Sequence, residues 1–250
     1  MSGHSKWSTI KHKKATTDLR RGKLFSKILK EITVAARLGG GDPKGNPRLR
    51  TALLEARSNS VPGDNIDRAI KKGTGELEGE SYEEITYEGF GPAGVAVLVE
   101  VATDNRNRTT PEIRHLFTKH GGAMAEAGSV AWMFKRRGYF AIDPAGMTEE
   151  QLMELALELG VDDITVEEDR YEMLTAPEEF TAVQEALESR GVAVAAKELA
   201  MMPQTTVDVP PDRINQVLRL LEALEDHDDA QKVWANFNVD EKVLAAAQAR

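Results

Sequence analysis

The side chains that offer chemistry in this 250-residue sequence are cations gathered near its start. Lys6, Lys11, Lys13 and Lys14 fall in a stretch without Asp or Glu before Asp18. Arg20, Lys23, Lys27, Lys30 and Arg37 then recur so that, at roughly 100° per residue, they share an arc of roughly 100° on one side of a helix. Such a stripe neutralises phosphates, and Trp7 and His12 beside it offer flat rings for stacking on bases. A charge run alone is ordinarily a solvated face. The one-sided stripe, the adjoining acid-free arm and the interleaved rings favour a nucleic-acid surface instead. If about five phosphates were neutralised, log affinity would fall with log salt at a slope of roughly −3.5 to −4.5.

A second candidate is Asn105, Arg106, Asn107 and Arg108, between a strand and a helix. Backbone N–H groups, the helix dipole and the guanidinium groups of Arg106 and Arg108 would together favour a phosphate there. A turn capped by Thr109 or Thr110, with two surface arginines, accounts for the same residues equally well. Gly39 to Pro47 reads either as a backbone able to approach a phosphate or as a helix cap and loop.

Other constellations are weaker. Gly89, Gly91 and Gly94 fit GxGxxG, but a strand follows where a dinucleotide site needs a helix, so a tight hairpin is expected. His115 and His120 lie on different faces of a helix with only Glu112 suitably placed, which favours solvated or capping histidines over zinc. Glu225, Asp226, Asp228 and Asp229 lack the glycine and closing glutamate of a calcium loop and read as a solvated acidic loop. GxxxxGK[ST], GxSxG and HExxH are missing, and the lack of cysteine excludes disulfides and thiolate chemistry. The expectation is a non-enzyme without catalytic residues, cofactor or metal.

The net charge of −9 conceals a division. Residues 1–75 hold 17 Lys and Arg against 6 Asp and Glu, a net +11, and residues 76–250 hold 15 against 35, a net −20. With 41% hydrophobic residues the chain should fold, and with no run of 18 apolar residues it should not span a membrane, so a cytoplasmic protein is expected.

The elements that must position these groups follow from hydrophobic period. After an arm to residue 17, a helix from Asp18 to Leu38 gathers Phe25, Ile28, Leu29, Ile32 and Ala36 opposite the cations, with Val34 and Leu38 intruding on the basic side. Asn46 and Pro47 open a second helix, and Asp64 caps a third closed by Gly73. A hairpin follows, Ile85–Phe90 and Val95–Thr103, then a helix from about Pro111 to His120 and a strand at Val130–Phe134. The next pieces run strand 139–142, helix 148–159, strands 163–168 and 171–175, helix 177–190 and strand 193–201, the βαββαβ order of a ferredoxin-like unit. A strand at 205–209, a helix at 212–224 and a strand at 232–237 are too few for a domain and should complete the hairpin's sheet. The fold class is therefore α+β, with an N-terminal three-helix bundle followed by two α/β domains, one of them ferredoxin-like and inserted into the other. The expected domains are 1–75, 76–135 with 204–240, and 136–203, before a tail at 241–250.

The sequence resembles the YebC/PmpR family, which also includes mitochondrial translational activators of cytochrome oxidase. The resemblance rests on GHSKW at Gly3–Trp7, RGKLFSKI at Arg21–Ile28, AARLGGGDPKGNPRLR at Ala35–Arg50 and IDRAIKKGTG at Ile66–Gly75. It continues through YEGFGPAG at Tyr87–Gly94, DNRNRT at Asp104–Thr109 and GSVAWMF at Gly128–Phe134, and thins across the acidic region. It implies three domains and a non-enzymatic role in gene expression, commonly as a DNA-binding transcriptional regulator. Other members are regarded as translation factors on ribosomes, notably where proline-rich nascent chains stall. The expected protein is a nucleic-acid-binding regulator whose basic N-terminal domain docks on DNA or rRNA, with Arg106 and Arg108 as a second contact. A ribosome-bound translation factor is one alternative, and an adaptor that engages a basic protein through its acidic domain is another.

Overall fold

In the computed structural model the described residues are 18–144, 147–166, 170–240 and 243, with 18–20 described by backbone alone. Three helices come first: α1 (Asp18–Gly39), α2 (Pro47–Ser58) and α3 (Gly63–Thr74). Their apolar faces meet in a small core of Ile28, Ile32, Ala36, Leu49, Ala52, Ala56 and Ala69. Asn46 joins the first two. Its Oδ1 accepts from Leu49 N at 3.1 Å, capping α2, while its Nδ2 donates to Ala35 O at 2.7 Å and Gly40 O at 2.9 Å. Gly40, at φ +83°, ends α1 in the left-handed conformation that glycine adopts without strain. The third helix departs from expectation at both ends: Pro62 precedes it without a side-chain cap, Asp64 sits in its first turn, and Gly75 ends it. Gly73 is interior because α3 crosses α1 closely there; a Cβ would lie 2.5 Å from Thr33 O.

The rest is built on two sheets. The first has the order β3-β1-β2-β9, from β1 (Glu83–Phe90), β2 (Ala96–Thr103), β3 (Ala123–Met124) and β9 (Ala230–Ala235), with antiparallel neighbours. The second has the order β5-β6-β4-β7, from β4 (Phe134–Ile142), β5 (Asp163–Val166), β6 (Tyr171–Thr175) and β7 (Val194–Pro203), also antiparallel. With α5 (Glu149–Glu158) and α6 (Phe180–Ser189) this makes the βαββαβ unit. The first sheet carries α4 (Arg106–Lys119) and α7 (Ile214–Glu225), and the short parallel pair β8 (Val207–Asp208) and β10 (Phe237–Asn238) lies near its end. Because β9 pairs with β2, the chain leaves the first sheet, builds the second and returns.

Strand periodicity explains how the sheets join. Val97, Val99 and Val101 of β2 face the core under α4 and α7, whereas Ala96 and Leu98 face a shared layer with Phe134, Tyr139, Ala141 and Trp234. On β4, Phe140 and Ile142 point the other way, into the ferredoxin-like core. Asn236, 2% exposed, pins the seam: its Oδ1 accepts from Ala96 N at 2.7 Å and its N donates to Ala96 O at 3.1 Å.

Two further sequence expectations are corrected. Residues 130–133 do not form a strand, because the amides of Val130 and Ala131 serve a carboxylate instead of a ladder and that of Met133 closes a turn onto Val130 O. Glu88, 6% exposed, accepts from Gly128 N and Val130 N at 2.6 Å each and from Ala131 N at 2.9 Å, and a 3-10 turn at Ala131–Met133 follows. Burial alone would raise the Glu88 pKa, but these backbone donors hold it below the usual glutamate range. The second correction concerns α4, which begins at Arg106 rather than Pro111. Asn105 is its cap, accepting from Arg108 N at 3.1 Å, and Pro111 lies inside the helix.

Candidate nucleic-acid interface

The α1 stripe forms, but its lysines turn to oxygens of the protein itself, Lys23 half-exposed and Lys30 largely covered. Lys23 Nζ donates to Asp226 O at 2.8 Å, Lys27 Nζ to Glu225 O at 2.5 Å, and Lys30 Nζ to Asp228 O at 3.1 Å and Asp229 Oδ1 at 2.6 Å. Glu225 and Asp226 are the last residue and C-cap of α7, so the first two ammonium groups meet carbonyls at the negative end of a helix. Val34, on the same side of α1, is 3% exposed because this face packs against the first sheet. The expected solvated acidic loop is corrected in part: Asp226 and Asp228 are exposed, but the loop's carbonyls and the buried Asp229 are the counter-surface of the basic helix.

Asp229 is the centre of this contact. Its side chain is 4% exposed. Arg108 donates to Oδ2 at 2.7 Å, and the hydroxyls of Thr109 and Thr103 lie 2.7 and 3.1 Å from the same oxygen. Burial would raise the Asp229 pKa, but donation from Lys30, Thr109 and Arg108 holds it well below the usual aspartate range. The anion that the Asn105–Arg108 turn was expected to attract is therefore present, and it is the protein's own carboxylate. Asp104, 3.0 Å from Arg108, adds a second. His227 Nδ1 accepts from Asp229 N at 3.1 Å, so Nε2 carries the hydrogen donated to Glu112 at 3.0 Å.

A cleft of about 890 Å3 opens beside this contact. Its carboxylates are Glu80, Asp104, Glu112, Asp226, Asp228 and Asp229, against the cations Lys23, Lys30 and Arg108. Such a lining repels phosphate. His115 lines the cleft too, but Glu112 pairs with His227, and among the described residues no cluster of three metal-ligating side chains occurs.

The remaining predicted residues are dispersed. Arg37 is exposed and donates to the Ser81 hydroxyl, and Arg106 is 3.5 Å from Glu83. Lys6, Trp7, Lys11, His12, Lys13 and Lys14 lie outside the described residues, as does the Arg20 side chain. Sequence reasoning placed Asp229 in a solvated loop and missed its role as the partner of Lys30 across 199 positions. The available signal was the match between three lysines at helical spacing and four acids in five residues.

Fold and site together define a three-part α+β protein in which a basic helical domain is clamped to an acidic two-sheet body. Residues 5–76 match the profile of the TACO1/YebC protein N-terminal domain, and residues 82–237 that of the TACO1/YebC second and third domain. The chain belongs to the TACO1/YebC family. It is 56% identical over 245 residues to a "probable transcriptional regulatory protein" of Desulfotalea psychrophila, covering 98% of both chains. Another protein so described, from Geobacter sulfurreducens, is 56% identical over 239 residues, 96% of both. A crystal structure of a conserved hypothetical protein from Aquifex aeolicus superposes with a TM-score of 0.81 at 49% identity, over 91% of this chain and 94% of that one. Among the described residues no helix is long and apolar enough to cross a membrane.

Proposed function

We propose that the protein is a cytoplasmic, non-enzymatic regulator of transcription that binds nucleic acid through its basic N-terminal domain. The description carried by its relatives supports the regulatory part. The observation that carries the binding part is the charge division: residues 1–75, at +11, include a separate helical core, and the rest of the chain is −20. A domain so charged is attracted to phosphate, while the acidic body opposes indiscriminate adhesion. The lysines of α1 reach phosphate only if the 225–229 loop withdraws, so first contact falls to other cations of the domain.

Fluorescence anisotropy with labelled oligonucleotides tests the reading. The full chain is expected to bind, and its affinity to fall linearly with log salt. Absence of salt-dependent binding to any nucleic acid at low ionic strength would overturn it.

A further inference from the structure

The described cations of the basic segment differ in what already holds them. Lys23, Lys27 and Lys30 serve the acidic loop, Arg48 is paired with Glu31 and Glu84, and Arg37 bonds Ser81. Arg21 lies over the Phe25 ring, and Arg68, Lys71 and Lys72 stand on α3 with Asp64 and Asp67, outside the pocket on α2. The side chains of Lys44, Arg50 and Arg57 make no hydrogen bond or ion pair among the described residues, and these three rim one pocket of about 220 Å3. Pro43, Leu53 and Leu54 supply its apolar wall.

The pocket follows from the α2 sequence. Arg50, Leu53, Leu54 and Arg57 recur at i, i+3, i+4 and i+7, the spacing of one helix face. Leu49, Ala52 and Ala56 occupy the other side and are buried in the bundle. Leu54 is left 43% exposed between two guanidinium groups that stand seven residues apart, about 10 Å along the axis. Leu54 does not contribute to the bundle core, whereas the α1 cations do have an internal partner. Cations around an apolar hollow match a ligand with separated anionic and flat apolar parts. A pocket smaller than the roughly 300–1,000 Å3 of drug-sized sites suits one planar ring.

We propose that this face of α2, with Lys44, is a binding site for single-stranded nucleic acid. Arg50, Arg57 and Lys44 take successive phosphodiesters, the guanidinium forks pairing with phosphate oxygens, and Leu53 and Leu54 receive the face of an unpaired base. A duplex shows only base edges in its grooves, so it cannot fill the hollow while it engages the cations. The inference rests on the proposed nucleic-acid-binding function and specifies where and in what form the ligand is met.

The test is anisotropy with the full chain, a labelled 20-nucleotide single strand as DNA and as RNA, and the matching DNA duplex. Wild type is expected to prefer at least one single strand over the duplex. Arg50→Gln with Arg57→Gln should weaken single-strand binding at least ten-fold and flatten the slope of log affinity against log salt by about 1.4, two phosphates at ~0.7 each. Leu54→Ala should weaken the single strand and leave the duplex unchanged. Circular dichroism and thermal melting confirm folding of the variants, whose substitutions all lie on the surface. If wild type binds and the double variant binds equally well, the site is wrong and the broader function stands. A preference for duplex also overturns the site. If wild type binds none of the three, the functional reading itself fails.

Discussion

Helices α1 and α2 carry comparable basic faces and put them to opposite uses. On α1, Lys23, Lys27 and Lys30 point at carbonyls and a buried carboxylate contributed from about 200 residues away. On α2, Arg50 and Arg57 flank an open hollow with no oxygen supplied to them among the described residues. Periodicity ranks α1 higher because it carries more charge, but charge that is satisfied inside the molecule is structural. The lesson is that a basic stripe must be read against every acidic segment of its own chain before a partner is sought.

The contrast breaks first at Asp229. Asp229→Ala leaves Lys30, Arg108 and two threonine hydroxyls around an empty position, and should cost about 3 kcal/mol in urea denaturation. Neutralising Lys23, Lys27 and Lys30 together to Gln comes next. These groups are partly exposed and three of their four hydrogen bonds are to carbonyls, so a loss of about 1–2 kcal/mol is expected. If that variant instead kept full stability and lost oligonucleotide binding, the roles of the two faces would be reversed.

The clamp should also respond to acid. The pKa of Asp229 is held below its unfolded value of about 3.9, so its contribution is complete above that pH and is lost as pH falls towards the folded value. Glu88, also depressed, adds to the same slope from about pH 4.3 downward. Stability measured from pH 6 to pH 2.5 should fall in wild type and fall less steeply in Asp229→Asn. The smallest effect belongs to α2: Arg50→Gln with Arg57→Gln touches no internal partner and should shift stability by no more than about 0.5 kcal/mol.

Much of the fold was legible because its signals are local. The alternation of Val97, Val99 and Val101, the turn after Phe90 and the helix spacing in 149–158 announce their elements, and the βαββαβ order needs only their sequence. Expectations failed where a distant group competed with a local signal. Val130 and Ala131 look ready for a ladder, but Glu88 takes their amides. Pro111 looks like a helix start, but Asn105 caps the backbone a turn and a half earlier. The acidic loop at 225–229 looks solvated for the same reason that α1 looks free, since neither shows its partner. Arg50 and Arg57 carry no comparable local signal, because Leu53 and Leu54 between them look alike in sequence and only the folded helix packs Leu53 against the core and leaves Leu54 outside it.

The most direct test compares both faces in one titration. Affinity for a 20-nucleotide single strand is measured from 50 to 300 mM salt for wild type, the α1 triple Lys→Gln variant and the α2 double Arg→Gln variant. The account predicts that the α1 variant keeps the wild-type slope of log affinity against log salt, while the α2 variant loses about 1.4 of it. An unchanged slope in the α2 variant, together with a reduced one in the α1 variant, would contradict it.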